Sequence, residues 1–523
     1  MAQQCNDQRH SLLWVADRGD GTYKNPIIFA DYSDPDLVRV GNDFYMIASS
    51  FNYMPGIPVL HSSDLVNWRI VNHVFDRLPF PVYDRPAHGR GAWAPSLRYH
   101  DGKFWIFFCC PDEGLFMSTA TDPAREWSPL HHVKPVTGWI DPCPFWDDDG
   151  QAYLVHAFAN SRVGIKSVLH MCRMKPDGSE VIDDGGRIIF DGTENHPTME
   201  GPKMYKREGD YIIFAPAGGV VGGWQVVLRS KNVYGPYEDR IVMAQGNTEI
   251  NGPHQGGWVE LESGESWFVH FQDRGAYGRV VHLQPMEWID GWPVIGEDQS
   301  DDGVGEPVAT AEKPRVGATY PVAGPQTTDE FEAKDLGLQW QWHANPQPEW
   351  ASLTVNEGAL RLHAMPAPAE DNLWYASNLL LQKFPAPAFT AMTRVTFRSE
   401  VAGEQAGLVV MGCDYAYVGL LKTADGLRII QRVCADAGTN PSMKEVIGPD
   451  LTGESVYLRV SVGTGALCQF GYSEDGRAFR LIGPRFQARK GHWIGAKVGL
   501  FCIATDVETD GGFADFDWFR FGG

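Results

Sequence analysis

Five times within residues 1–300 the chain repeats one short pattern: a kinked or small-residue opening, a brief apolar stretch, a glycine turn and an aromatic-rich strand. The copies are "SDPDLVRVGNDFYMIAS" from Ser33, "WAPSLRYHDGKFWIFF" from Trp93, "IDPCPFWDDDGQAYLVH" from Ile140, "EGPKMYKREGDYIIFA" from Glu200 and "PHQGGWVELESGESWFVHF" from Pro253. Their turn glycines, Gly41, Gly102, Gly150, Gly209 and Gly264, recur every 50 to 60 residues or so, roughly the period of a repeated supersecondary unit. A two-strand unit cannot cover both of its own faces, so neighbouring copies must cover them. A second alternating stretch follows in several units, as in "IPVLHSSDLVNWRIV", "LFMSTATDPAREWSPL" and "WQVVLRSKNVYGPYED", and brings the unit to four strands. Units of this kind repeated five times predict an all-β, five-bladed β-propeller, which hides its sheet edges by radial repetition.

Residues 301–326 are polar, rich in Pro and Gly and without either secondary-structure period, and read as a linker. From 327 to 523 alternating runs such as "AFTAMTRVTFRSE" and "VYLRVSVGTGALCQFGYSEDG" are joined by Gly and Asp-Gly turns, the signature of a β-sandwich of concanavalin-like, jelly-roll type.

Composition narrows the partners. A formal net charge of -22 leaves no basic face for nucleic acid or an anionic membrane, and no run reaches the length of a spanning helix. The first residues lack a basic segment followed by an apolar one, so the chain reads as cytoplasmic. Nine cysteines, without metal-ligand spacing, fit reduced and mostly buried thiols. The sequence is compatible with a homo-oligomer.

In a propeller the first strand of each blade lines the central channel, so the residues at its entry converge from positions far apart in sequence. Those residues are Asp34, Trp93, Asp141, Glu200 and His254. Three are carboxylic acids. Like charges in one cleft push their proton affinities apart, which is a poor structural device and a good catalytic one. Cleaving a glycosidic bond needs one acid kept protonated to serve the leaving oxygen and one ionised to act on water or carbon. "WDDDG" at 146–150 reads as a hairpin turn, not a cation site.

The motifs "SDPD", "WAPSLR", "WIDPCPFWDDDG", "MEGPK" and "QDRGAYGRVVHLQP", in this order, resemble glycoside hydrolase family 43, the β-xylosidases and α-L-arabinofuranosidases. The resemblance implies Asp34 as general base, Glu200 as general acid and Asp141 as the residue that positions the acid and tunes its pKa. It implies inversion at the anomeric carbon and an exo-acting enzyme that removes terminal xylose from short xylo-oligosaccharides, with an arabinoside as the rival substrate. It further implies that Trp93 walls the sugar pocket with Phe51 opposite, that Arg279 reaches sugar hydroxyls, and that His254 lies in the channel where some relatives hold calcium. Family members usually carry Ser where Asp36 stands. No cofactor is required on this reading; a structural calcium is allowed, with Asp329 and Asp517, at the acidic ends of the sandwich, as its ligands. The loop 504–513 is expected to lean over the propeller. Two other readings are a retaining fructan hydrolase, whose "NDPNG" is replaced here by "SDPDL", and a non-catalytic carbohydrate-binding protein.

Overall fold

The computed structural model describes residues 12–183, 185–366, 372–504 and 511–523. Residues 36–295 form five four-stranded antiparallel meanders, each with its strands in sequence order. They start at Asp36–Val40, Ser96–His100, Trp139–Trp146, Lys203–Arg207 and Gly256–Glu260. These first strands adjoin one another around the axis, and the fifth meets the first, which closes the propeller. All five repeat glycines have positive φ, from 62° at Gly41 to 85° at Gly264. A Cβ at any of them would meet nothing, so conformation and not space selects glycine there.

The N-terminal segment seals the ring against the fifth blade. Tyr32 donates its amide to the Arg279 carbonyl (3.1 Å), Ile28 bridges Val281, and the buried Tyr23 hydroxyl donates to the Leu283 carbonyl (2.8 Å). The 301–326 segment, read as a linker, is strapped to the propeller. Thr310–Glu312 pairs antiparallel with Thr22–Lys24, Ala323 donates its amide to Asn67 Oδ1 (2.9 Å), and Gln326 Nε2 donates to the Ile70 carbonyl (3.0 Å). The Gln326 side chain also accepts the Ile70 amide, so it pairs with both backbone groups of one residue on Arg69–Phe75, the outer strand of the first blade.

Beyond it, two eight-stranded sheets form a sandwich. Phe389–Arg398 and Ser455–Gly463 alternate buried and half-buried residues, as strands with one wet face do. Gln405–Met411 and Lys497–Ala504 are buried at every residue. The reason is a second cover: the other sheet packs on one face, while Phe51 and Tyr53 of the propeller join Leu381, Val409, Phe501 and Ile503 in one core on the other. The two domains are therefore welded by an apolar interface. The described cysteines carry no disulfide, and no helix among the described residues is long and apolar enough to cross a membrane.

Candidate active site

The chain enters the first blade through "DYSDPD", and its three acids go to three places. Asp31 Oδ1 accepts the Arg279 amide (2.8 Å) and Oδ2 the Gly495 amide (2.9 Å), which ties the first blade to the fifth and to the sandwich. Asp36 is fully buried; Oδ2 accepts from Arg98 Nη1 (2.8 Å) and the Leu97 amide (2.9 Å), with Lys203 Nζ 3.7 Å away. Asp34 lies between them with φ of 55°. A left-handed φ at a non-glycine costs of order 1–3 kcal/mol and persists where the surroundings impose it. Here Asp34 lines a cavity, with Oδ1 accepting from Arg279 Nη1 (2.9 Å) and Oδ2 from Ser33 Oγ (2.7 Å) and Ser49 Oγ (2.6 Å).

Asp141 repeats the device at the third blade. Its φ is 54°, and it sits where the pairing of Trp139–Trp146 with Ala152–Phe158 shifts register between Ile140 and Cys143. The bulge turns the carboxyl inward, and Oδ2 accepts the Gly201 amide (2.8 Å). That bond anchors the backbone beside Glu200.

The cavity encloses about 240 Å³ and is lined by Asp34, Asp141 and Glu200, by Phe51, Trp93 and Arg279, and by Trp493 from the sandwich. It lies just below the roughly 300–1,000 Å³ typical of small-molecule pockets, a size for one small ring. A wider space of about 470 Å³ shares Arg279, Val220 and Trp493 with it and opens along the domain junction.

The electrostatics separate the acids. Burial raises the pKa of Asp141, and the Asp34 carboxylate raises it further, against the pull of the Gly201 amide and of Lys203. Glu200, its side chain 35% exposed, is raised by burial first and next by Asp141, with Arg279 opposing. Asp34 is the acid that faces a guanidinium and two hydroxyls. His254 is buried, and burial followed by the charge of Arg279 depresses its pKa to about 3, so the ring is neutral. Its Nε2 is 3.6 Å from Glu200 Oε1, and neither ring nitrogen has a hydrogen-bond partner among the described residues. Orphaned nitrogens of this kind fit a sugar hydroxyl or a water-bound calcium ion.

All five blade-entry residues thus meet at one end of the channel. Phe51 and Trp93 do not face each other across it: their centroids are 6.3 Å apart with planes inclined at 59°, and they touch as one corner, because Phe51 exchanges backbone hydrogen bonds with Ala92. Gly91 permits that approach, since a Cβ there would lie 2.1 Å from the Phe51 carbonyl oxygen. The further wall is Trp493, whose ring lies 6.0 Å from Trp93. Sequence reading missed Trp493, and its flanking glycines, Gly491 and Gly495, are the only local cue; the expected cover, 504–513, lies largely outside the described residues.

The two acids expected to hold calcium in the sandwich are engaged by protein groups. Asp329 accepts from the Phe331 amide (2.9 Å) and from Trp340 Nε1 (2.9 Å), and Asp517 is paired with Arg394. The Asp329 oxygens are taken up by N–H donors and the Asp517 carboxylate by a guanidinium, whose positive charge opposes a cation beside it. Asp147 to Gly150 form the anticipated turn, with the Gly150 amide donating to the Asp147 carbonyl.

A five-bladed propeller that gathers three carboxyl groups in a sugar-sized pocket is the architecture of a glycoside-cleaving enzyme. The family described as "Glycosyl hydrolases family 43" matches residues 23–293, and "Beta xylosidase C-terminal Concanavalin A-like domain" matches residues 328–522. A Xylanibacter ruminicola protein named "Putative beta-xylosidase" is 43% identical, over 94% of this chain and 88% of its own. A Bacteroides ovatus protein named a non-reducing end alpha-L-arabinofuranosidase is 29% identical over 97% of each chain. The crystal structure of a family 43 protein from Bacillus licheniformis superposes with a TM-score of 0.82 at 26% identity, covering 96% of this chain and 99% of that one. The chain belongs to glycosyl hydrolase family 43 and is a glycoside hydrolase.

Proposed function

We propose that the enzyme removes single xylose residues from the non-reducing end of β-1,4-linked xylo-oligosaccharides, with inversion at the anomeric carbon. The observation that carries this reading is the pairing of an acceptor, Asp34, with a proton-holding Glu200 at the wall of a cavity sized for one sugar. A cavity of that size admits a chain end and not a chain interior. The sugar stacks in the Phe51–Trp93–Trp493 corner, and the leaving oligosaccharide extends into the wider junction. Glu200 gives its proton to the leaving oxygen while Asp34 takes one from a water that attacks from the opposite face. Asp141 keeps Glu200 protonated by its own charge and holds its backbone through Gly201. Arg279 anchors Asp34 and, with His254, meets the sugar hydroxyls. A calcium ion, if held, would be held by His254 and would add positive charge near Glu200; no step depends on it. A cytoplasmic location fits a substrate short enough to be imported.

An α-L-arabinofuranosidase is the second reading, favoured by the name of the Bacteroides ovatus relative. The test is kcat/KM on 4-nitrophenyl β-D-xyloside and α-L-arabinofuranoside, with proton NMR of the first-formed sugar. A preference for xyloside and an α-xylose product are expected. A retained β-anomer would overturn the mechanism, and a preference for arabinofuranoside would overturn the substrate.

A further inference from the structure

Outside the pocket, the third blade brings together three metal-ligating side chains. His156 lies on Ala152–Phe158, while His170 and Cys172 lie on the neighbouring Val168–Met174. His156 is the register partner of His170, and Cys172, two residues on, shares its face. His156 Nε2 is 2.9 Å from His170 Nδ1, and Cys172 Sγ is 3.6 Å from the same Nδ1. The three ligand atoms lie within 4.8 Å of one another, and no other such group of three occurs among the described residues. His156 and Cys172 are fully buried and His170 is half-buried, so one side is open.

Hydrogen bonding and packing orient the two rings. His156 Nδ1 is 3.0 Å from the Ala157 carbonyl, which can only accept, so that nitrogen carries the proton and Nε2 presents a lone pair. Gly186 sits over the Cε1–Nε2 edge of the His170 ring, where a Cβ would come within 2.6 Å of Nε2. His170 therefore turns Nδ1 toward both the lone pair of His156 Nε2, at 2.9 Å, and Cys172 Sγ, at 3.6 Å.

We propose that His156 Nε2, His170 Nδ1 and Cys172 Sγ bind one zinc ion or a similar borderline-soft divalent metal, with water as the fourth ligand. With metal–nitrogen bonds of about 2.0 Å and a metal–sulfur bond of about 2.3 Å, the two separations from His170 Nδ1 subtend angles of roughly 90° and 110°, and His156 Nε2 and Cys172 Sγ, which lie within 4.8 Å of each other, come to the tetrahedral separation of about 3.5 Å by rotation of the Cys172 and His156 side chains. The Ala157 carbonyl holds the His156 imidazole by its outer N–H, the arrangement that fixes the tautomer of a ligating histidine. Trp139, stacked on His156 at 3.8 Å, fixes the ring plane. A thiolate with two imidazoles suits zinc and not calcium or magnesium. The site would clasp two strands and the Gly185–Gly186 turn, far in role from the carboxyl pocket. The nine cysteines show no ligand spacing along the chain because the ligands assemble only when the strands pair in this register.

The experiment uses untagged full-length enzyme stripped with a chelator. Zn2+ is titrated in competition with a chromophoric chelator, and Co2+ is added separately to record visible and near-ultraviolet spectra. One equivalent of Zn2+ should bind at submicromolar concentration, and Co2+ should give tetrahedral d–d bands with a thiolate-to-metal charge-transfer band. Cys172→Ser should abolish that band, and both it and His170→Asn should weaken Zn2+ binding by about 100-fold or more. Xyloside turnover reports folding of each variant, and the cobalt spectrum of the wild type stands even if both variants misfold. Absence of stoichiometric binding, a cobalt spectrum without sulfur charge transfer, or unchanged affinity in folded variants would overturn the proposal.

Discussion

Asp34 and Asp36 stand two residues apart in one motif, and the structure gives them opposite duties that substitution can separate. Asp36 is the anion of a buried cluster with Arg98 and Lys203, whose side chains are 12% and 1% exposed. At an effective dielectric of about 20, its attraction to Arg98 at 2.8 Å is about 6 kcal/mol and to Lys203 at 3.7 Å about 4.5 kcal/mol. Asp36→Asn leaves both cations buried without their anion and should cost about 3–5 kcal/mol. Arg98→Met leaves the Asp36–Lys203 pair intact, with Lys203 still bonded to the Pro95 carbonyl and Ser96, so its cost should fall to about 1–3 kcal/mol. Thermal unfolding followed by tryptophan fluorescence at pH 7 should therefore rank wild type above Arg98→Met above Asp36→Asn. At 25 °C, folded Asp36→Asn should retain xyloside turnover within about tenfold, whereas folded Asp34→Asn should lose about 10²- to 10⁴-fold; its midpoint should fall as well, because Arg279 is left buried without its anion, so activity of the folded variants separates the two aspartates. If Asp36→Asn were inactive while as stable as wild type, the assignment of the two aspartates would be reversed. An inverted stability order would refute the charge argument.

Trp493→Ala removes the wall that the sandwich supplies; at about 0.5–1.5 kcal/mol for an aromatic contact, KM should rise about 2- to 12-fold, and the midpoint should stay put because the residue is 50% exposed. Asp141→Asn takes away a charge that raises the pKa of Glu200, so the acid loses its proton at lower pH and the basic limb of the kcat profile should move downward; an unmoved limb would refute the tuning role. The folded pKa of Asp141 is raised above 3.8, so its contribution to stability is complete below that value and is lost as pH rises through the folded one. The midpoint of Asp141→Asn relative to wild type should therefore climb between pH 4 and pH 8, as differential scanning fluorimetry would show. Truncation after residue 326 exposes the Phe51–Tyr53 patch and deletes Trp493, and should give an aggregating, inactive propeller; a soluble, active fragment would contradict the shared interface.

What the sequence disclosed and what it withheld follow from the range of the interactions. The blades were legible because each is closed by a local turn whose glycine must take positive φ, and five such turns at near-even spacing leave few architectures. The convergence of Asp34, Trp93, Asp141, Glu200 and His254 followed from that symmetry without any knowledge of side-chain packing. The division of labour within "DYSDPD" did not, because it depends on a left-handed φ at Asp34, which a non-glycine residue does not advertise. The bonding of Asp329 and Asp517 was hidden for a related reason. Asp329 does lie beside the last strand, bridging Phe519, but Asp517 falls opposite the strand that carries Arg394, and register decides between a metal ligand and an ion pair. His156, His170 and Cys172 were invisible for the same cause.

Trp493 marks the limit most clearly, since no repeat in the propeller can announce a residue contributed from the far end of the other domain. The logic of its placement lies in the fold. A propeller leaves one end of its channel open, and a sugar bound there would be wetted on its outer face. Covering that end requires an element held rigidly over it. Phe51 belongs at once to the pocket wall and to the apolar core shared with the sandwich, and Asp31 holds the Gly495 amide while also holding the amide of Arg279, the residue that anchors Asp34. The loop bearing Trp493 is thus fixed by the same side chains that position the Asp34 carboxylate. Any shift of the sandwich relative to the propeller moves both the Trp493 wall and Asp34, so the second domain is built into the pocket and is not an appended module.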